Sequence, residues 1–160
     1  MLVDYIKKTM DVNLEQQKLI SSPLRVKIIY LLAMKAMTAK QVADELGKSA
    51  GSVHYHIQQL YNGGILELEE TKENRGIIEK YYRSKATHFN LKTEEEKPVT
   101  ERVMSQGTYI SLTEEDRKEL QDDIDLLFLK YVKKSAEKSD QDKVSYEINF
   151  SLKKEVEEES

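Results

Sequence analysis

Cysteine is absent from the 160-residue chain, which excludes disulfides, thiolate metal sites and a cysteine nucleophile and is compatible with a reducing cytosol. Long apolar runs are missing as well. The longest, around Ile28 to Met34, is far too short to span a bilayer, and the amino-terminal MLVDYIKKTMD lacks the basic-then-apolar order of a secretory signal. A soluble, cytoplasmic protein with no membrane partner is expected. No Gly-rich phosphate loop, paired-histidine metal motif or serine in a nucleophile-elbow setting occurs, and Gly63-Gly64 reads as a helix terminator rather than a cradle. The expectation is a protein that is not an enzyme and needs no cofactor.

Hydrophobic residues make up 39% of the chain and charged ones 34%, enough for one good core or two small ones under a solvated surface. The formal net charge of −4 conceals an asymmetry. Through Asn90, 13 Lys and Arg stand against 10 Asp and Glu, a balance of +3, whereas the remainder holds 12 against 19, a balance of −7. Any polyanionic partner must meet the first part.

Asn13-Leu-Glu-Gln16 has the form of a capping box and starts a short helix to about Ile20. Ser22-Pro23 restarts the chain as N-cap and first helical residue, and Leu24, Ile28, Leu31 and Leu32 give the helix to about Lys35 an apolar stripe. Thr38 begins a third helix with Val42, Ala43 and Leu46 pointing inward. Gly47-Lys48-Ser49 is a sharp break, Gly47 suiting a left-handed cap and Ser49 an N-cap. The next helix ends at Asn62-Gly63-Gly64, and Ile65 to Glu70 and Gly76 to Arg83 read as strands around a tip, Thr71 to Gly76. Helix-turn-helix followed by a hairpin is the winged-helix order.

A polar stretch from Thr87 to Gln106, with Glu94-Glu-Glu96 and Pro98, reads as linker or irregular loop. Thr108 to Leu112 suggests a short strand, and Thr113-Glu-Glu-Asp116 caps a long helix through Leu120, Ile124, Leu127, Phe128 and Tyr131. Val144, Tyr146, Ile148, Phe150 and Leu152 alternate with polar residues, the period of a strand. Strand, helix and strand could pair in parallel through a right-handed crossover. The expected fold class is α+β: a winged helix-turn-helix domain (1–91), a linker (92–107) and a C-terminal strand-helix-strand dimerisation or effector region (108–160). Dimerisation is expected through Ile124, Leu127, Phe128 and Tyr131, aided by Leu2 to Ile6, because the long helix is apolar beyond the needs of one neighbour.

In the segment SAGSVHYHIQQL, Val53, Ile57 and Leu60 share one helical face, while Gly51, Tyr55, Gln58 and Asn62 lie opposite, with Ser52 and His54 flanking. The outward face has donors and acceptors but no acid, which suits base edges flanked by phosphate. Gly51 near the helix start permits close approach of a phosphate. Lys72, Asn74 and Arg75 form a cationic wing tip able to reach a minor groove or a phosphate. His54 and His56 are about 200° apart around the helix and cannot chelate one ion.

The chain resembles the ArsR-like winged-helix transcriptional regulators of bacteria and archaea over roughly Leu14 to Leu91. The resemblance rests on SSPLRVKIIYLL, with Pro23 and Arg25, on QVADELGKSAGSVHYHIQQLYNGGIL, and on GIIEKYYRSKATHF; a more distant similarity covers TYISLTEEDRKELQDDIDLLFLKYV and SYEINFSL. It implies a homodimer, more often a repressor, bound to double-stranded DNA. Lys48, Ser49, Gly51, Ser52, His54, Tyr55 and Gln58 would line the recognition surface and Lys72, Asn74 and Arg75 the wing. Many such regulators sense metals through cysteine thiolates, which this chain lacks, so no metal site is expected. A small-molecule effector near the long helix is compatible with this picture, but no polar constellation names one. The competing expectation is a winged-helix module that meets a protein instead of DNA.

Overall fold

Each helix of the amino-terminal part begins where a side chain satisfies its exposed backbone donors. In the computed structural model, which describes residues 7–92, 106–137 and 143–155, the Asn13 carboxamide accepts from the Gln16 N–H at 2.8 Å. Gln16 in turn accepts from the Asn13 N–H at 3.1 Å. This reciprocal cap starts α1 (Leu14–Ile20). Pro23 occupies the first turn of α2 (Pro23–Met34), where its missing N–H costs nothing. Thr38 and Gln41 form a second capping box at α3 (Ala39–Leu46), which Gly47 closes at φ 61°. Ser49 then accepts from the Ser52 N–H and opens α4 (Ala50–Asn62).

Ile28 and Leu32 of α2, Val42 of α3, and Val53, Ile57 and Leu60 of α4 meet Ile65 in a core from which water is fully excluded. At about 25 cal/mol per Å² of apolar surface removed from water, this cluster is the main source of stability. At the far end of α4, a Cβ added to Gly63 would lie 2.2 Å from Leu19 Cδ1, and the Gly63 carbonyl accepts from Gln16 Nε2 at 2.9 Å. Glycine here lets α1 lie directly against the exit of α4.

β2 (Leu66–Asn74) and β3 (Ile77–Ser84) form an antiparallel hairpin with a bulge between Leu68 and Glu70. Its root is fixed by a bridge in which Met37 and Tyr82 exchange backbone hydrogen bonds of 3.2 and 2.9 Å. The strands run further than the polar sequence suggests, so the turn is only Arg75-Gly76, and Lys72 and Asn74 lie within β2 rather than in a loop. A solvated ribbon is polar on both faces, and hydrophobic alternation cannot reveal its length.

A feature not expected from the sequence is the parallel pairing of β1 (Thr9–Val12) with β4 (His88–Leu91). Thr87 supports it, its Oγ1 accepting from the Lys8 N–H at 2.9 Å. His88 to Leu91 is therefore ordered structure rather than the beginning of a linker; most of the expected linker, with Glu94 to Glu96 and Pro98, and the Leu2 to Ile6 segment lie outside the described residues.

The chain divides into two units between Ser111 and Leu112. The second contains α5 (Glu114–Glu137), capped by Thr113 and Asp116 as the sequence predicts. The two strands expected around it are not formed: neither 108–112 nor 144–152 enters a β-ladder, so the strand-helix-strand arrangement is corrected to a helix with two unladdered segments. Alternation makes a segment competent for a sheet, but a strand exists only with a partner for its N–H and C=O groups. No helix among the described residues is long and apolar enough to cross a membrane.

The α1–α4 contact yields a stability prediction. Gly63→Ala is expected to cost about 1–3 kcal/mol through overpacking against Leu19, read as a lower urea midpoint at unchanged slope; an unchanged midpoint would show that Leu19 moves aside freely.

Candidate nucleic-acid interface

Burial of Val53, Ile57 and Leu60 turns the opposite side of α4 to solvent. Lys48, Ser49, Gly51, Ser52, His54 and Tyr55 are all exposed and contiguous with the amino end of the helix. From Leu46 to Leu66 there is no Asp or Glu, so nothing on this face repels an anion. The positive end of the helix dipole adds to that field. Gly51 is surrounded by open space, with no atom within 4 Å of a Cβ placed there. The protein interior does not require glycine at this position, in contrast to Gly63.

Gln58 departs from the expected role. It is half-buried, and its Nε2 donates to the Tyr82 hydroxyl at 2.9 Å. Tyr82 is itself buried and meets Tyr61 edge-on, centroids 5.6 Å apart. This bond ties the middle of α4 to the wing root, and the Gln58 amide serves the angle between helix and hairpin. A similar tie holds the other flank: Arg25 Nε donates to His56 Nδ1 at 3.2 Å and Arg25 Nη1 to the Leu19 carbonyl at 3.0 Å. His56 must accept at Nδ1, so its neutral form is selected. Its pKa is lowered, first by partial burial and then by the Arg25 charge.

The wing carries less free charge than its sequence implies. Lys72 pairs with Glu70 at 2.9 Å and lies 4.7 Å above the Tyr81 ring; its pKa is raised, chiefly by the hydrogen bond to Glu70. Arg83 donates to Glu69 and reaches the Ala33 carbonyl at 3.5 Å, holding the hairpin to α2. Arg75 makes no ion pair among the described residues and is their one non-glycine residue at positive φ, 52°. With Gly76 at φ 79° it forms a two-residue turn matched to strand twist. A left-handed arginine costs about 1–2 kcal/mol of local strain, so the tip holds its cation against backbone preference.

Ile77 and Ile78, 69% and 68% exposed, flank that tip. They are candidate contact residues that the sequence reading missed. The available signal was their adjacency, since neighbours in a strand face opposite sides and cannot both enter one core. In the second unit, Ile124 and Phe128 are half-buried, whereas Leu127 and Tyr131 are exposed. Among the described residues no three His, Asp or Glu side chains gather as a metal site.

Residues 22–67 match the family model of bacterial regulatory proteins of the arsR family. This segment is similar to the helix-turn-helix of that family. The matched residues run from the cap of α2 to the start of the wing, the part whose geometry is described above. Among curated proteins none matches the chain. Among solved structures the chain is similar to the homodimeric winged helix-turn-helix DNA-binding domain of a possible ArsR-family transcriptional regulator from Mycobacterium bovis, at 22% identity and a TM-score of 0.37. The aligned part covers 44% of this chain and spans about three fifths, 61%, of that one.

The Arg25–His56 contact sets a pH dependence. An unfolded histidine titrates near its ordinary value of 6.5 and the native one below it. Above pH 6.5 both states are neutral and the contribution is complete; as pH falls through 6.5 toward the native pKa, the unfolded state takes up the proton first and stability declines. His56→Gln should flatten the pH 7 to 5 portion of the unfolding curve, followed by urea titration at each pH. Identical wild-type and variant slopes would place the titration elsewhere.

Proposed function

We propose that this chain is a DNA-binding transcriptional regulator, acting as a homodimeric repressor on an inverted-repeat operator. The observation that carries this reading is the acid-free, solvent-facing side of α4, whose capped amino end bears Gly51 in open space. Ser52, His54 and Tyr55 offer donors and acceptors to base edges in the major groove. Lys48 and the Ser49 and Gly51 backbone stand where a phosphate would meet the helix start. Arg75 at the turn reaches an adjacent phosphate or narrow minor groove, and Ile77 and Ile78 beside it provide apolar contact of the type minor-groove proteins use. Lys72 and Asn74 supply weaker support from within β2. Gln58 sets the helix-to-wing angle and contributes to reading only through that angle.

Two copies related by a twofold axis would present their α4 helices about one DNA turn, roughly 34 Å, apart. The inner stripe of α5, with Ile124, Leu127, Phe128 and Tyr131, is the proposed helical contribution to that dimer. A bound dimer represses by occluding the promoter.

Selection of duplexes from a random pool by the purified full chain, at near-physiological salt, tests the reading. Enrichment of an inverted repeat is expected; a folded protein that enriches no sequence, with or without cell extract, would point to the protein-interaction module instead.

Two substitutions separate binding from folding. Gly51→Ala removes a glycine from the first turn of α4 and should leave stability equal or higher by up to about 1 kcal/mol, yet weaken the selected duplex by obstructing phosphate approach. Arg75→Asn relieves the left-handed strain, because asparagine tolerates that conformation, and should lower the dependence of log affinity on log salt by about one phosphate's worth. Thermal melts and salt-series titrations provide both readouts. Unchanged affinity in either variant removes that residue from the interface.

A further inference from the structure

The second unit, from Leu112 onward, leaves apolar side chains uncovered among its described residues. Its α5 has 24 residues and not one that is buried. At 100° per residue, Leu120, Ile124, Leu127, Phe128 and Tyr131 form one stripe, in which Leu120, Ile124 and Phe128 are half-buried. Leu126, Leu129 and Val132 lie on the opposite side, each more than 60% exposed. A helix apolar on opposite sides needs cover on both.

The segment from Val144 to Leu152 is the second uncovered element. Its apolar residues alternate without exception, yet it has no ladder, and Tyr146 is 81% exposed. These five side chains and the exposed apolar residues of α5 together form an apolar surface that a single copy leaves open to water.

We infer that a second copy of this chain completes the unit: residues 144–152 pair antiparallel with the same residues of the other copy, and the Leu126–Leu129–Val132 stripe covers the apolar face so formed. Symmetry and charge select this occupant. A twofold axis perpendicular to the strands makes the segment its own partner, and alternation sets apolar against apolar in any register centred on a residue. Parallel pairing would oppose Glu147 to Glu147 and Lys153 to Lys153, which like-charge repulsion disfavours. Antiparallel registers centred on Glu147 or Ile148 oppose Glu147 to itself or Lys143 to Lys153. Centring on Asn149 faces Tyr146 with Leu152 and Ile148 with Phe150; centring on Phe150 faces Ile148 with Leu152 and Glu147 with Lys153. These two registers bury the apolar face and avoid like-charge opposition.

This inference deepens the dimeric part of the proposed function and stands apart from DNA recognition. The absence of native cysteine makes the test direct, because any single introduced cysteine reports only on itself. In the full chain, Asn149→Cys or Phe150→Cys should give a disulfide-linked dimer under mild oxidation. Ser145→Cys should not, since its copies would lie roughly 25–35 Å apart along the strands in the two registers, beyond the reach of a disulfide. Light scattering should show a dimer for the wild type, and Ile148→Pro, which removes a ladder donor, should lower the mass while the thermal transition of the winged domain persists. A monomeric wild type, a dimer that crosslinks at neither central position, or an Ile148→Pro dimer of unchanged mass overturns the inference. A monomer that nevertheless selects a duplex keeps the DNA reading and loses this one; a crosslinked dimer that selects none does the reverse.

Discussion

The rotational setting of α4 governs the rest of the winged domain. Val53, Ile57 and Leu60 are sealed against α2, α3 and Ile65, and with 100° between successive residues their burial leaves no choice about which side faces water. Rotating the helix by one residue would bury a polar side chain without a partner, at a cost of kilocalories. The solvent-facing group from Ser49 to Tyr55 is thus a consequence of core packing. Its chemistry is available because no acid lies between Leu46 and Leu66.

Tyr82 extends that constraint to the wing. Its backbone bridges Met37 just before α3, its ring packs against Tyr61, and its hydroxyl accepts from Gln58. One residue therefore relates the helix-turn-helix to the hairpin through three different kinds of contact. Further along the ribbon, Glu69 and Glu70 engage Arg83 and Lys72. Exposed ion pairs of this type contribute little stability. Their effect is on the field: they neutralise Lys72 and Arg83 and leave Arg75 at the turn and Lys80 in β3 as wing cations without an ion pair among the described residues.

What could be read from the sequence were features decided locally. Asn13 with Gln16, Thr38 with Gln41, and Ser49 marked helix starts because a cap needs only residues three apart, and the α4 faces followed from spacing alone. The β1–β4 ladder was not legible: Thr9 to Val12 alternates over only four residues, too few to stand out, and its partner is some eighty residues away. Gln58 and His56 looked like surface groups or local packing because their partners, Tyr82 and Arg25, lie 24 and 31 residues away in sequence. At the C-terminus the reverse held. The alternation from Val144 to Leu152 was the clearest strand pattern in the chain, yet pattern reports which face a residue would take and not whether a neighbour exists to pair with it.

The two units consequently differ in self-sufficiency, and on the proposed reading that difference has a thermodynamic use. One winged domain offers a phosphate few cations, chiefly Lys48, Arg75 and Lys80 with the dipole of α4, so a single half-site is held weakly and with little penalty for release. Linking two such contacts converts the second into an intramolecular event at an effective concentration fixed by the geometry of the dimer. Affinity for a full operator then depends less on adding charge to α4 than on how firmly the C-terminal units hold two copies in register. A stronger basic face would raise binding to every sequence alike; a firmer dimer raises it only where two half-sites are correctly spaced.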